Sequence, residues 1–349
     1  MTKRSVAGLA AGAAVAAGGA AAVRTVRQAR RERVAVGRRT LTGNLEHTPH
    51  RETTVRTRDG VTLHVEIDEP PAPRQGAPTV VLVHGFTVSS RAWVFQRRAL
   101  MEAGYRVVSY DHRGHGRSGQ GDPDHATIEQ LGHDLHLVLE RVVPEGPLVL
   151  VGHSMGGMAL MALGEAYPEL VGPRVVGVGF AATSAGGEGQ LISLGYGAAV
   201  GRLIGHYGPG ALQGLSRQEH VFRALRRFGR DLEDYFVQHY SFSSPVSQTL
   251  VRFTGDLAFE TSFSTIGGFI ATFNDHDRRD ALHVWGRVPA LVITAADDRL
   301  TSVEHGRLIA DSIPGAEHVV VAQAGHMVML EHPDVVSEEI LELVAETEA

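Results

Sequence analysis

The chain predicts an α/β fold: a mostly parallel central sheet flanked by helices, with an inserted helical cap. Three observations predict it. Short apolar runs at 79–83, 106–110, 148–151, 175–180, 290–294 and 318–321 are separated mostly by helical stretches, and strands joined by helical crossovers make a parallel sheet covered on both faces. The run Pro147-Leu148-Val149-Leu150-Val151 leads straight into Gly152-His153-Ser154-Met155-Gly156, an order of strand, sharp turn and helix that lifts a serine hydroxyl clear of a sheet edge. Between about Ser184 and Trp285 the strand rhythm stops and helical patterns replace it, carrying 14 of the chain's 21 aromatic residues.

Taken in order, residues 5–23 are almost only Ala, Gly and Val, uncharged, and bracketed by Lys3-Arg4 and by Arg24, Arg27, Arg30, Arg31 and Arg33. That stretch approaches the roughly 20 residues of a bilayer-spanning helix. Only Val6, Leu9, Val15 and Val23 add clear insertion energy, about 0.3–0.6 kcal/mol each. The arginines that follow favour the cytoplasmic side, so the expectation is a membrane-associated protein with a cytoplasmic catalytic domain. A peripheral or soluble cytoplasmic segment and a cleaved export signal are the alternatives. Residues 24–50 read as a basic helix and linker.

Residues 52–68 alternate apolar and polar side chains around Asp59-Gly60, the pattern of a hairpin. Thr127-Ile128-Glu129-Gln130 is a capping box opening a helix to about Val143. His133 and His136 lie three apart on that helix, but with no third ligand nearby they read as an ordinary helical face rather than a metal pair. After Ser154, the run Met158-Ala159-Leu160-Met161-Ala162-Leu163 has no β-branched residue and predicts a buried helix. Helical periodicity at 219–240 places Val221, Phe222, Leu225, Phe228, Leu232, Tyr235 and Phe236 on an apolar face. Such an aromatic-rich insertion is expected to pack over the ligand edge of the sheet as a lid, or else to form its own core.

The resulting organisation is a possible anchor and basic linker (1–50), the first part of the core (51–183), a helical cap (184–285) and the second part of the core (286–349). The 349 residues, 43% of them hydrophobic, suffice for one large catalytic domain with an insertion. Cysteine is absent, which removes disulfides, thiol nucleophiles and thiolate metal sites. The net charge of −6 hides an asymmetry: residues 1–50 hold nine Lys and Arg against two Glu, leaving 24 against 37 elsewhere. A body that acidic argues against nucleic acid as a partner.

A serine hydroxyl needs a base beside it, normally an imidazole oriented by a carboxylate. Two strand ends offer these groups: 290–294 leads into Asp297-Asp298-Arg299-Leu300, and 318–321 leads into Gly325-His326. Both loops leave a parallel sheet on the edge where Ser154 sits. With His84-Gly85-Phe86, Asp111-His112-Arg113-Gly114-His115-Gly116-Arg117-Ser118-Gly119, the Ser154 turn, Asp298 and Gly325-His326-Met327, the chain resembles the α/β-hydrolase superfamily over roughly residues 52–345.

The resemblance implies an α/β-hydrolase fold with Ser154 as nucleophile, His326 as general base and then acid, and Asp298 as the orienting carboxylate. Asp297 is the rival for that last role, but an apolar residue two positions on, Leu300, favours Asp298. It also implies an oxyanion hole formed by the backbone amides of Phe86 and Met155, while His115, His153 and Glu331 read as structural. A serine nucleophile disfavours the aspartate-ester relatives. The leading expectation is hydrolysis of carboxylic esters with apolar groups, esterase- or lipase-like, such as monoacylglycerols or medium-chain acyl esters. Alternatives are a carbon-carbon bond hydrolase, a thioesterase or a lactonase, with Arg202, Arg217 and Arg223 available to a substrate carboxylate, and, in another class, a non-catalytic receptor or scaffold. No dinucleotide fingerprint, phosphate loop or metal-ligand cluster points to a cofactor or metal.

Overall fold

The computed structural model of the protein describes residues 32–35, 44–187 and 234–348. At its centre lie strands β1 (Glu32–Ala35), β2 (Arg51–Arg56), β3 (Thr62–Asp68), β4 (Thr79–Val83), β5 (Val107–Tyr110), β6 (Leu148–His153), β7 (Val175–Ala181), β8 (Ala290–Ala295) and β9 (Glu317–Val321). They form one sheet in the order β1-β9-β8-β7-β6-β4-β5-β3-β2. Among the described residues β3 runs antiparallel to both its neighbours and every other pairing is parallel. The β2–β3 hairpin turns where the sequence places it: Gly60 has φ +87°, and the Val61 amide donates to Thr57 Oγ1 at 2.8 Å.

The central strands are mostly apolar and buried along their length because the sheet is covered on both faces. Since successive side chains point to opposite sides, each strand feeds two cores. Val80, Leu82, Val149, Val151, Leu291 and Ile293 meet Leu100 of helix α1 (Val94–Glu102) and Ile340 and Leu343 of the C-terminal helix Pro333–Glu346. Val81, Val83, Leu148, Leu150 and Val292 meet α2 (Ile128–Val142) and α3 (Met155–Ala166) through Leu135, Val138, Leu160 and Leu163. Each fully buried Leu or Val contributes about 1.5–3 kcal/mol, which outweighs the weak β propensity of any one strand. Helix α2 begins as expected, with Thr127 Oγ1 accepting from the Gln130 amide at 3.1 Å.

Within 184–285, the stretch expected to form a cap, the described helices are residues 234–241, α4 (Gln248–Phe259) and α5 (Phe263–Asp275). Residues 219–233 of the expected amphipathic helix lie outside the described residues, whereas its end, from 234, is helical as anticipated. The aromatic residues divide. Phe242 and Phe253 join the sheet core, Trp285 packs on Phe180, and Phe269 is buried beside Met155 and Met158.

One expectation is corrected within the N-terminal segment. Residues 32–35 form strand β1 at the sheet edge, parallel to β9, rather than part of a basic helix. The edge of β9 offers unpaired backbone groups that an extended segment satisfies, and Arg33 pairs with Glu339 and Glu342. Residues 5–23 lie outside the described residues; among the described ones no helix is long and apolar enough to cross a membrane.

Candidate active site

Strand β6 ends at His153, and Ser154 turns the chain with φ +51° and ψ −120° before α3 begins at Met155. A non-glycine residue holds such a conformation only where its surroundings over-determine it. Here Thr183 Oγ1 donates to Ser154 O at 2.6 Å, and the Ser154 amide donates to Ala181 O at 3.0 Å. The two flanking glycines are required by close approach. A Cβ on Gly152 would lie 2.6 Å from the Gly156 backbone, and one on Gly156 would lie 2.3 Å from Val83 O and 2.7 Å from His84 O.

The loops after β8 and β9 bring Asp298 and His326 to the same rim. His326 Nδ1 lies 2.8 Å from Asp298 Oδ2, and His326 Nε2 lies 3.0 Å from Ser154 Oγ. A carboxylate only accepts, so Nδ1 carries the proton and Nε2 is left to accept from the serine hydroxyl. Asp298 is buried and also accepts from the Leu300 and Thr301 amides at 2.7 and 3.0 Å and from Thr301 Oγ1 at 2.7 Å. Burial alone would raise its pKa, but the His326 charge and these hydrogen bonds outweigh that and hold it below the ordinary carboxylate value. Asp297, the rival carboxylate, is exposed and accepts from Ser243 Oγ at 2.7 Å instead.

The segments carrying the two candidate oxyanion amides adjoin the serine turn. Met155 opens α3, so its N–H is one of the four without an intrahelical acceptor. The loop carrying Phe86 lies directly over the serine turn: a Cβ on Gly85 would be 3.1 Å from Ser154 Cβ. His84 sets the orientation of that loop. Its Nε2 accepts from the His112 amide at 2.9 Å, so its protonated Nδ1 donates to Gly85 O at 2.7 Å. Because C=O and N–H point oppositely across a trans peptide, fixing Gly85 O fixes the direction of the Phe86 N–H. Burial pushes His84 down to about 4, which keeps it in the neutral form this arrangement needs.

The alpha/beta hydrolase family model matches residues 80–339, spanning β4 to the C-terminal helix and therefore all five positions. The chain belongs to the alpha/beta hydrolase family. It is 27% identical over 271 residues to the dihydrolipoyllysine-residue acetyltransferase component of the acetoin cleaving system of Pseudomonas putida, covering 76% of this chain and 63% of that one. It is 28% identical over 276 residues to the 2-hydroxy-6-oxononadienedioate/2-hydroxy-6-oxononatrienedioate hydrolase of Paraburkholderia phymatum, covering 78% and 88%. Several curated relatives are matched over less than two thirds of their own length, between 30% and 63%. Among solved structures, an esterase from Exiguobacterium antarcticum superposes with a TM-score of 0.65 at 19% identity, covering 84% of this chain and 99% of the other.

Within this hydrolase fold the other residues singled out by sequence fall into place. His153 Nε2 donates to His326 O at 2.9 Å, and burial pushes its pKa down to about 3, so it stays neutral beside the candidate base. In the loop after β5, Arg113 binds Asp134 at 2.7 and 2.8 Å and Asp59 at 2.7 Å, tying the loop to α2 and to the hairpin. His115 Nδ1 donates to Arg113 O at 2.9 Å within the same buried loop. His133 contacts Tyr167 Oη at 2.9 Å and His136 stacks on the Tyr167 ring at 3.7 Å, so neither faces a shared ion. Sequence reasoning missed Thr301, Thr183 and the orienting role of His84. A hydroxyl three residues after the acid was the one available signal. It also missed Glu52, His64 and Glu66, whose ligand-type atoms lie within 4.8 Å of one another. There Glu52 is already paired with Arg117 and Glu66 with Arg97, so the charges that would draw a cation are compensated.

Proposed function

We propose that the protein is a serine hydrolase that cleaves carboxylic esters with apolar groups through an acyl-enzyme on Ser154. The observation that carries this reading is the unbroken chain Asp298–His326–Ser154, with contacts of 2.8 and 3.0 Å. His326 Nε2 takes the hydroxyl proton as Ser154 Oγ attacks the ester carbonyl, and Asp298 stabilises the imidazolium. The amides of Phe86 and Met155 receive the developing oxyanion. His326 then gives the proton to the departing alcohol, and a water activated by the same nitrogen releases the acid.

The preference for apolar groups is supported by the wall next to these amides, where Phe86 packs against Phe273 and Phe269 with ring centroids 5.2 and 6.2 Å apart. In this proposal α4 and α5 belong to a cap over the site; residues 188–233 of the expected cap lie outside the described residues. Membrane tethering through residues 5–23 belongs to the proposal on sequence grounds alone. Monoacylglycerols and medium-chain acyl esters are the substrates such a site and tether would suit.

The full-length protein should hydrolyse a panel of p-nitrophenyl esters and label with a fluorophosphonate, and Ser154→Ala should lose both. A wild type inert towards esters and probe would overturn the reading. Carbon-carbon bond hydrolysis is the second reading, favoured by the Paraburkholderia phymatum relative, which is matched over most of its length. It uses the same three side chains, and turnover of a vinylogous diketone would select it. Arg202, Arg217 and Arg223, the candidate partners of that substrate's carboxylate, lie outside the described residues.

A further inference from the structure

Glu331 is 2% exposed, in the short helical turn Val328–Glu331 that follows the candidate base. Its carboxylate is saturated by four donors. Oε2 accepts from the Gly325 amide at 2.6 Å, while Oε1 accepts from the Ser244 amide at 2.7 Å, Ser244 Oγ at 2.6 Å and the Ser243 amide at 3.1 Å. One side chain thus bridges two segments: the turn 325–327 that carries His326, and residues 241–244, which follow the helical stretch 234–241 and precede α4.

The bridge has no slack. The Met327 amide donates to Ser241 O at 2.9 Å, and a Cβ on Gly325 would meet the Phe242 backbone at 2.7 Å. On its other side the turn is held by His153 at His326 O, and Ser243 Oγ reaches the acid loop at Asp297. The two contacts of the imidazole depend on where this turn sits. Burying a carboxylate costs free energy, and backbone donors offset it only when their geometry is kept. An aspartate or an amide could not receive the same four bonds, the first for reach and the second because one of its two heavy atoms is itself a donor.

We propose that Glu331 is a positioning residue for hydrolysis: it locks the His326 turn to segment 241–244 and so holds the imidazole in line between Asp298 and Ser154. This rests on the serine-hydrolase reading. The test compares full-length wild type with Glu331→Gln, Glu331→Asp and Ser244→Ala, using p-nitrophenyl ester kinetics normalised to the serine titrated by fluorophosphonate, alongside thermal melting. For Glu331→Gln, kcat per titrated serine should fall about 100-fold, as about 1 Å of displacement does, while KM changes by less than about three-fold. Glu331→Asp should recover part of the loss. Ser244→Ala, lacking one donor of the four, should still fold, melt a few degrees lower and lose about five-fold in kcat per titrated serine.

A merely structural residue would reduce the amount of titratable serine and leave kcat per site unchanged. The proposal is overturned if Glu331→Gln keeps kcat per titrated serine within two-fold of wild type. Should Glu331→Gln fail to fold, an unchanged kcat in Ser244→Ala overturns it equally. An inert wild type would instead bring down the hydrolase reading beneath it, which distinguishes the two failures.

Discussion

Acid should unfold this protein steeply, and the buried imidazoles set the slope. Burial pushes His84 and His276 down to about 4 and His115 and His153 to about 3, and holds His112 well below its ordinary value. These folded-state values lie below the 6.5 of a free imidazole, so the unfolded chain takes up protons that the native one refuses. The stability they allow is therefore complete above about pH 6.5 and is lost as pH falls towards 3–4. Glu339 acts in the opposite sense: burial raises it to about 7, so its native carboxyl takes a proton earlier than the unfolded one. At pH 5.5 the five imidazoles, offset by Glu339, give a net uptake of roughly four protons on unfolding, a slope on the order of 5 kcal/mol per pH unit. Carboxylates held low, such as Asp298 and Glu66, add to acid lability only below about pH 4.5. Urea unfolding at several pH values between 5 and 7.5, with constant m, measures this slope directly. An uptake below one proton would refute the claim that these rings are buried and neutral in the native state.

Two further outcomes are expected. Asp298→Asn should lower ester kcat by about 1,000- to 10,000-fold, because it offers His326 Nδ1 the wrong partner, whereas Asp297→Asn should stay within about three-fold. The reverse ranking in a p-nitrophenyl ester assay would reassign the acid. Gly156→Ala should cost about 1–3 kcal/mol in chemical denaturation and slow hydrolysis as well. Its Cβ would be driven against the carbonyls of Val83 and His84, and relief would require the loop carrying Phe86 to retreat. A variant as stable and as active as the wild type would contradict that packing.

Much of the fold could be read from the sequence because parallel strands buried on both faces are largely apolar, as in Val80–Val83, Leu148–Val151 and Ala290–Ile293. The site was legible for a related reason. Ser154 follows β6 directly and Asp298 and His326 lie in the loops after β8 and β9, so the topology that orders the strands also gathers the side chains at one edge. Strand β1 escaped notice because Glu32–Ala35 has no apolar face of its own, and its pairing partner lies nearly three hundred residues away. Asp298 was preferred to Asp297 on a neighbouring leucine; burial and the three donors that reach Asp298 are presented only by the folded loop.

The resemblance to the family supplied the candidate roles of Ser154, His326 and Asp298; residue order alone supplied the alternation that makes a parallel sheet and the glycines that permit the Ser154 turn. These are local or periodic properties, set by steric limits and by side-chain chemistry that need no partner. Tertiary structure decided which nitrogen of His326 faces which oxygen, how His84 orients the Gly85–Phe86 peptide, and that Glu331 ties the His326 turn to residues 243–244. Those depend on distances between segments far apart in the chain, and hydrogen bonds weaken within a few tenths of an ångström, a precision that no spacing along the sequence encodes.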